Sequence, residues 1–155
     1  MDPSLNPNSN FVNLENARFK EQKKIMEKIQ KEGFCPFCLK NARKHKLMPI
    51  IKKGKYWHVR HNSWPYENTK VHLLVIYNTH AEKMSDIDSK AAKELFELAK
   101  WYETEYGIKG GAIGMRFGDP RLNGATVNHI HVHFISAKIT DKNDPKYKPV
   151  RIRVG

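Results

Sequence analysis

Hydrophobic residues recur at two different spacings along the chain, and the spacing separates helices from strands. The segment "SDIDSKAAKELFELAKWYETEYG" carries apolar residues three or four positions apart, which predicts an amphipathic helix that ends at Gly107. Its apolar positions are Ala91, Leu95, Leu98, Ala99 and Tyr102. A second helix is predicted over residues 13–33, with Asn13 as its N-cap and Gly33 as its stop signal.

The other apolar segments predict strands. The run "VHLLVIYN" is mostly apolar and is typical of a central strand, and "LMPIIKKGKYWHVRHN" predicts a hairpin that turns at residues 52–55. Further strands are predicted in "GGAIGMRFG", "VNHIHVHFISAKI" and "KPVRIRVG". Strands around one long helix indicate an α+β fold. We expect a mostly antiparallel sheet of five or more strands, with the long helix packed on it and a helix near the N-terminus.

Length and composition favour one globular domain. A chain of 155 residues is long enough to bury a core, and residues 1–12, with Pro3, Pro7 and three Asn, predict a flexible tail before a domain over 13–155. No apolar run is long enough to cross a bilayer, and "MDPSLNPNSN" lacks the order of a signal peptide. These features predict no membrane contact. Both cysteines lie in one short motif, which excludes a disulfide framework and predicts a cytoplasmic location.

Positive charge is concentrated in one part of the chain. The formal net charge is +12, and residues 18–60 hold 14 Lys and Arg against three Glu, a net charge of +11. A field of this sign attracts anions such as nucleotides, nucleic acid or an acidic surface. The charge supports a phosphate-bearing ligand, although a well-solvated protein face has the same composition.

Three histidines occupy alternate positions in "VNHIHVHFIS", at His129, His131 and His133. Side chains two positions apart in a strand share one face, about 6.6 to 6.8 Å apart, so we expect all three imidazoles on one side. Imidazole is an electron-pair donor, a metal ligand and a proton donor near neutral pH. Because residues spaced along a flat strand diverge, the pattern favours a division of roles over one metal site made from all three.

These residues resemble a known family. His129-Ile130-His131-Val132-His133-Phe134-Ile135 is similar to the signature of the histidine-triad superfamily of nucleotide hydrolases and transferases. The approach "NGATVNHIHVH" and the upstream "NSWPYENTKVHLLVIYNTH" also resemble it, so the resemblance spans about residues 34–139. It implies the fold of that family and, since its members are commonly homodimers, a homodimer.

The resemblance also implies a mechanism. His131 would attack the α-phosphorus of a nucleotide and form a nucleotidyl-histidine intermediate, and His133 would contact the phosphate. Transferases of the family often carry Gln at the third triad position, so His133 favours hydrolysis. The resemblance further implies nucleotide or phosphate contacts for Asn62, His72, Gly124 and Thr126.

A second constellation is Cys35-Pro36-Phe37-Cys38, whose spacing is typical of two thiolates on one metal or of a redox pair. A charged helix before the motif argues against the redox interpretation, and one such pair is only half of a zinc site. Zinc-bearing members of the superfamily, typified by the galactose-1-phosphate uridylyltransferase branch, complete the pair with two histidines. Those positions are His80 and His129 here, which implies a structural Cys2His2 zinc site, with His45 as the best rival ligand.

Two departures leave the substrate open. Small hydrolases of the family usually carry Gln where this chain has Ala125, and "NGAT" resembles the diadenosine-polyphosphate phosphorylases and bacterial relatives instead. A phosphate-binding Asn expected near 116–118 is absent, and either Arg116 or Arg121 is a candidate to supply charge. The main hypothesis is a nucleotidyl hydrolase or transferase. One alternative is a hydrolase of 5′-adenylated nucleic acid, as in the aprataxin branch, in which residues 18–60 would follow the nucleic-acid backbone. The other is a non-catalytic nucleotide-binding module.

Overall fold

Five strands form a single antiparallel sheet in the computed structural model, which describes residues 2–6, 9–45 and 48–155. The order across the sheet is β1-β2-β3-β5-β4, so β3 is central and β4 lies at an edge. The strands are β1 (Lys52–Lys53), β2 (Trp57–His61), β3 (Thr69–Tyr77), β4 (Ala112–Arg116) and β5 (His131–Ala137). The predicted α+β class, the antiparallel sheet and the hairpin at 52–55 are confirmed.

The helices lie between and before the strands. Short 3-10 turns occupy Leu14–Asn16 and Met84–Asp86, and the α-helices are α1 (Lys20–Glu32), α2 (Leu39–Lys44), α3 (Ala91–Glu105) and α4 (Pro120–Asn123). The predicted helix over 13–33 is therefore interrupted, because Phe19 is extended at φ −132° and ψ 147°. Gly33 ends α1 as predicted, in the left-handed conformation at φ 65° that favours glycine.

The two faces of the sheet have opposite chemistry because side chains alternate along each strand. One face packs against α3 and carries the main hydrophobic core, in which Leu98 and Tyr102 of α3 contact the sheet. Its buried strand residues are Trp57, Val59, Leu73, Val75, Val132 and Phe134. The opposite face carries polar side chains, among them His131. In the strand register His131 lies between Ile76 of β3 and Arg116 of β4.

The chain ahead of the first helix is partly packed. Phe11 and Val12, which the sequence places in a flexible tail, are 2% and 1% exposed, and Val12 bridges to Val127. Both are large and apolar, and Ser4 is also buried, where its carbonyl accepts from the Cys35 N–H and the Asn41 side chain. The tail also contains residues outside the described ranges.

Two predicted strands differ from the observed ones. The segment "KPVRIRVG" forms no strand, and this prediction is wrong. Pro149 has no N–H for a ladder, and the Arg153 carbonyl accepts hydrogen bonds from the Arg116 side chain instead of a neighbouring strand. The strand predicted from residue 127 begins at His131, so His129 lies in the bend before it. No helix in the described part of the chain combines the length and apolar character needed to cross a membrane.

Candidate active site and metal centre

A cavity of about 1260 Å³ lies over the polar face of the sheet. It is enclosed by α1 and by the C-terminal residues 148–155, and His131 and His133 lie on its floor. Sites for small ligands commonly measure about 300–1,000 Å³, so this cavity has room for more than a compact mononucleotide. The large volume makes the histidine face of the sheet a candidate site for a nucleotide with an extended leaving group.

His131 presents one ring nitrogen to this cavity. Its Nδ1 lies 2.7 Å from the main-chain carbonyl of His129, which only accepts, so Nδ1 carries the proton. In the neutral ring, Nε2 therefore holds the free electron pair. Burial lowers the pKa of His131 to about 4, which outweighs the opposing hydrogen bond to the His129 carbonyl, and the charges of Arg116 and Arg60 lower it further. The ring is consequently uncharged and nucleophilic at neutral pH.

His133 belongs to a row of hydrogen-bonding groups beside His131. Its Nδ1 lies 2.8 Å from Nε2 of His72, and its Nε2 lies 3.1 Å from Nη1 of Arg116. The main-chain N–H of Tyr66 donates to Nδ1 of His72 at 3.1 Å. Burial lowers the pKa of His72 to about 4 and that of His133 well below its usual value, and Arg18 and Arg116 contribute in both cases. Both imidazoles are neutral near pH 7.

Cys35, Cys38, His80 and His129 form a second cluster, in which all four ligand atoms lie within 4.8 Å of one another. Cys35 Sγ lies 3.3 Å from His129 Nδ1, and Cys38 Sγ lies 3.7 Å from Nδ1 of both histidines. Zinc–ligand lengths in a tetrahedron place sulfur and nitrogen about 3.6 Å apart. The donor set and these spacings therefore fit a zinc ion, and the rival ligand His45 instead stacks on Phe34.

Both histidines of the cluster are oriented through their second nitrogen. Nε2 of His129 lies 2.8 Å from the Tyr77 carbonyl, and Nε2 of His80 lies 3.1 Å from Oε1 of Glu82. Each Nε2 therefore donates, which directs Nδ1 of each ring at the thiols. Burial opposes ionisation of Cys35, but hydrogen bonds from Cys38, His129 and His80 hold the pKa of its thiol well below the usual value. The cluster is arranged to hold a cation.

The two groups of histidines are joined at His129. Its ring faces the cysteines, while its main-chain carbonyl accepts from Nδ1 of His131. The sequence prediction of three imidazoles on one strand face requires correction, because His129 precedes the strand and serves the other cluster. The bend at 126–130 thus separates a ring that faces thiols from a ring that faces the cavity.

The remaining residues predicted for the pocket lie in or beside it. Asn62, Gly124 and Thr126 line the cavity, and Gly124 adopts φ 70°, which suits glycine. His72 does not line the cavity itself and lies behind His133, Tyr66 and Asn62, which do. Of the two arginines considered for the absent Asn, Arg116 lies in the cavity.

Arg121 does not take part in the site. Its side chain is paired with Asp119 through its Nη2 and Nε atoms, and it does not line the cavity. The exposed guanidinium is therefore neutralised within its own turn. Only Arg116 remains as the arginine that stands in place of the expected Asn.

Sequence analysis missed several lining groups. Arg18 is one of them, and its guanidinium lies 4.8 Å from the ring centre of Tyr66, which itself stacks on His133 at 5.3 Å. Phe37 packs edge-on against His131 at 5.0 Å between ring centres, and buried Arg60 lies 4.9 Å from that ring. The alternation in "WHVRHN" was the available signal for Arg60, because it places His58, Arg60 and Asn62 on one face.

Comparison with known proteins identifies relatives of the same fold. The family model described as the HIT domain matches residues 50–139. A HIT family hydrolase from Legionella pneumophila Philadelphia 1 is 20% identical, with a TM-score of 0.54 over 68% of this chain and 97% of that chain. A Zn-bound histidine triad family protein from Mycobacterium smegmatis is 21% identical, with a TM-score of 0.51 over 74% and 81% of the two chains.

A third structure is the Plasmodium falciparum diadenosine triphosphate hydrolase in complex with cyclomarin A. It is 22% identical, with a TM-score of 0.50 over 59% of this chain and 63% of that chain. No curated protein sequence matches the chain. At these identities the structural likeness concerns the fold, and the matched family model covers more than half of the chain.

Proposed function

The chain belongs to the histidine-triad (HIT) family, and we propose that it is a nucleotidyl hydrolase or transferase that acts at the α-phosphate of a nucleotide. Suitable substrates are a dinucleoside polyphosphate, a nucleotide ester or a phosphoramidate. One observation carries the proposal: the proton on His131 Nδ1 is held by the His129 carbonyl, so the Nε2 electron pair is available. The names of two structural relatives, a HIT family hydrolase and a diadenosine triphosphate hydrolase, agree with this activity.

In the first step, the Nε2 electron pair of His131 forms a bond to the α-phosphorus. The bond from phosphorus to the leaving-group oxygen breaks, and its electron pair departs with that oxygen. The imidazole becomes positively charged while it carries the nucleotidyl group, and the His129 carbonyl stabilises it through the Nδ1 proton. A polyphosphate leaving group departs as an anion and needs no proton.

In the second step, water attacks the same phosphorus and releases one proton to solvent. The Nε2–phosphorus bond breaks, and its electron pair returns to His131, which restores the neutral ring. A different acceptor in place of water makes the protein a transferase. His133 lies beside the reacting centre, with ring centres 4.9 Å apart, where it can contact phosphate in both steps.

Zinc is the proposed cofactor, held by Cys35, Cys38, His80 and His129, whose donor types and spacings fit a tetrahedral structural ion. The Zn-bound structural relative agrees with this choice. With four protein ligands the ion has no open position for substrate, and its contribution is to fix the bend that contains His129. That bend in turn places the carbonyl that orients His131.

The test is a comparison of wild type with His131→Ala on α-³²P-labelled substrates, followed by rapid denaturation to trap labelled protein. We expect label on wild type, none on the variant, and a loss of turnover of about 10⁴-fold or more. His45→Gln is a matched control, because this histidine lies outside the cavity lining. Absence of turnover by wild type on every substrate would support the non-catalytic nucleotide-binding alternative.

A second candidate is hydrolysis of 5′-adenylated nucleic acid. The exposed side of α1 is rich in lysine, and α1 borders the cavity, where Phe19 and Trp64 stack at 5.5 Å between ring centres. A basic rim and stacked aromatic rings suit a nucleic acid end. The affinity for adenylated DNA should then fall steeply between 50 and 200 mM salt, while the affinity for a free nucleotide falls much less.

A second copy of this chain is the proposed protein partner. Strand β4 is an edge of the sheet, and Ile113 in it is 54% exposed beside the exposed Phe117. Unpaired edges with apolar side chains favour pairing with another chain. Light scattering during gel filtration should give twice the 18.1 kDa of one chain. A cytoplasmic location stays a prediction.

A further inference from the structure

A continuous row of polar groups crosses the cavity floor from Tyr66 to Arg116. It runs from the Tyr66 main-chain N–H to His72 Nδ1, from His72 Nε2 to His133 Nδ1, and from His133 Nε2 to Arg116 Nη1. The contacts measure 3.1, 2.8 and 3.1 Å. Both ends of the row are fixed donors, since a main-chain N–H and a guanidinium have no lone pair to offer.

Two neutral imidazoles between two fixed donors supply only two acceptors for three contacts, so one contact of the row lacks an acceptor. The Tyr66 donor is part of the main chain and cannot turn away, so we assign the missing acceptor to the Arg116 end. Because Tyr66 donates to Nδ1 of His72, the neutral His72 carries its proton on Nε2 and donates it to His133. His133 Nδ1 therefore accepts, and the neutral ring carries its own proton on Nε2. That N–H faces the N–H of Arg116 Nη1 at 3.1 Å, so two donors meet with nothing between them to accept.

Asn62 does not alter this count. Its Oδ1 accepts from the Trp64 main-chain N–H at 2.9 Å, which fixes the orientation of the amide. Its Nδ2 lies 3.2 and 3.5 Å from the two ring nitrogens of His72. An atom at nearly equal distances from both nitrogens lies over the ring face, away from the lone-pair direction of either. The main-chain N–H of Tyr66 therefore determines which ring nitrogen of neutral His72 carries the proton.

Arg116 is held in position by neutral groups alone. Its Nη1 donates to the Tyr66 hydroxyl at 2.7 Å, and its Nη2 and Nε donate to the Arg153 carbonyl at 2.6 and 3.3 Å. No carboxylate of the described residues forms an ion pair with it. The C-terminal segment thus orients the guanidinium and leaves its charge without compensation. A fixed, uncompensated cation is suited to an anion that arrives with substrate.

We propose that Arg116 and His133 form a paired-donor site for a non-bridging oxygen of the reacting phosphate, and that Arg116 is a catalytic residue. An oxygen of the bound phosphate takes the place of the direct contact between these two nitrogens and accepts from both N–H groups. The negative charge that develops on this oxygen during attack by His131 is stabilised by Arg116, because the neighbouring imidazoles are neutral. This role rests on the proposed nucleotidyl transfer and specifies its phosphate site.

The experiment measures steady-state kinetics with a dinucleoside polyphosphate for wild type, Arg116→Gln, Arg116→Lys and Arg121→Gln. We expect Arg116→Gln to lower kcat about 10²–10³-fold, the cost of one transition-state donor in comparable sites. Arg116→Lys keeps the charge but not the planar geometry, and should recover about tenfold of that loss. Arg121→Gln removes an exposed arginine outside the cavity and should stay within twofold of wild type.

A binding measurement separates a phosphate contact from a structural role. Calorimetric titration with AMP and with adenosine should show weaker AMP binding to Arg116→Gln, about tenfold, with adenosine binding unchanged. Equal loss for both ligands, or kcat within threefold of wild type, overturns the role of Arg116. If wild type itself turns over no substrate, the proposed function fails, and AMP binding still tests the phosphate site.

The proton count has its own test in the ligand-free protein. Long-range ¹H–¹⁵N NMR distinguishes the two neutral forms of an imidazole, and we expect His133 with its proton on Nε2 at pH 7. AMP addition should shift the Nε2–H proton resonance downfield, because the N–H gains an anionic acceptor. A proton on Nδ1 of His133 would mean that Arg116 already has an acceptor there, and the paired-donor site would be refuted.

Discussion

The two histidine clusters share one chain segment, yet their surroundings carry opposite charge. In the metal cluster, His80 faces the cysteines and Glu82, whose hydrogen bonds outweigh the effect of burial and raise the pKa of His80 to about 9. In the cavity, His72 is buried near Arg18 and Arg116, and its pKa falls to about 4. Burial lowers the pKa of both rings, and only at His80 do hydrogen bonds to Cys35 and Glu82 outweigh it.

This difference indicates what each cluster binds. The Nδ1 atoms of His80 and His129 lie with both thiols within 4.8 Å of one another, so a cation can take the place of the proton that His80 holds there. Imidazoles among arginines keep one nucleophilic nitrogen at His131 and several donors, which suits a phosphate. The sign of the neighbouring charge, and not the number of histidines, separates the two functions along "HIHVH".

Removing the metal ligands is the strongest way to break this comparison. In Cys35→Ala/Cys38→Ala, zinc content measured by mass spectrometry should fall from about one ion per chain to almost none. The free energy of unfolding should drop by more than about 4 kcal/mol, because loss of a structural metal is among the causes of the largest mutational effects. Activity should fall as well, since the bend that carries the His129 carbonyl loses its anchor.

The matched control for the cysteine variant is Cys35→Asp/Cys38→Asp, which keeps negative charge but not the sulfur ligands that zinc prefers. It should bind zinc much more weakly than wild type. Full activity in metal-free wild type, shown after chelation and with retained circular dichroism, would contradict the proposed link between the metal cluster and His131.

Glu82 offers a milder change within the same cluster. Glu82→Gln keeps the shape of the side chain but removes the carboxylate that accepts from His80 Nε2. Because such partners typically contribute 10–100-fold to metal affinity, we expect a loss in that range in competition with a chromogenic chelator. Activity at saturating zinc should remain near that of wild type. Unchanged zinc affinity would show that Glu82 does not support the metal site.

The fold class and the cysteine pair were accessible from sequence for a physical reason, whereas His80 and His129 followed only from the resemblance to the family. Strand periodicity and the Cys-X-X-Cys spacing are local features, and local features determine which side chains share a face or a turn. The separation of His129 from His131 was less accessible. It depends on a bend whose position follows from packing between Val127 and the buried Val12, which lie 115 positions apart in the chain.

The surroundings of the phosphate site were the least predictable part. Arg116 contacts Tyr66 and the Arg153 carbonyl, which lie 50 and 37 positions away in the chain. The alternating pattern of "KPVRIRVG" predicts a strand, but strand pairing and capture by one arginine compete for the same carbonyl. Only the tertiary structure decides that competition, so neither the path of the C-terminal segment nor its contact with Arg116 follows from local pattern.

Tyr66→Phe sharpens the comparison on the cavity side. The substitution removes the hydroxyl that accepts from Arg116 Nη1 at 2.7 Å and keeps the main-chain N–H that donates to His72. One lost hydrogen bond of about 0.5–1.5 kcal/mol corresponds to a two- to tenfold lower kcat. Tyr56→Phe, on a tyrosine outside the cavity lining, is the control. If the cavity tyrosine variant matches wild type, the hydroxyl does not position Arg116.

The smallest expected effect is the response of the cavity histidines to mild acid. With a pKa of about 4, His72 stays about 90% neutral at pH 5, whereas an ordinary histidine with a pKa of about 6.5 would be mostly protonated. We therefore expect kcat/KM to change less than twofold from pH 7 to pH 5 and to fall as the pH approaches 4.

The free energy of unfolding should also depend on pH over this range, because His72 binds protons differently in the folded and unfolded chains. Between pH 6.5 and 4 the unfolded chain binds protons at His72 that the folded chain does not, so the free energy of unfolding decreases as the pH falls. Unfolding midpoints at pH 7 and 5, with zinc content checked at both, measure this decrease. A tenfold loss of kcat/KM at pH 5 with zinc retained would show that burial and the nearby arginines do not keep the cavity histidines neutral.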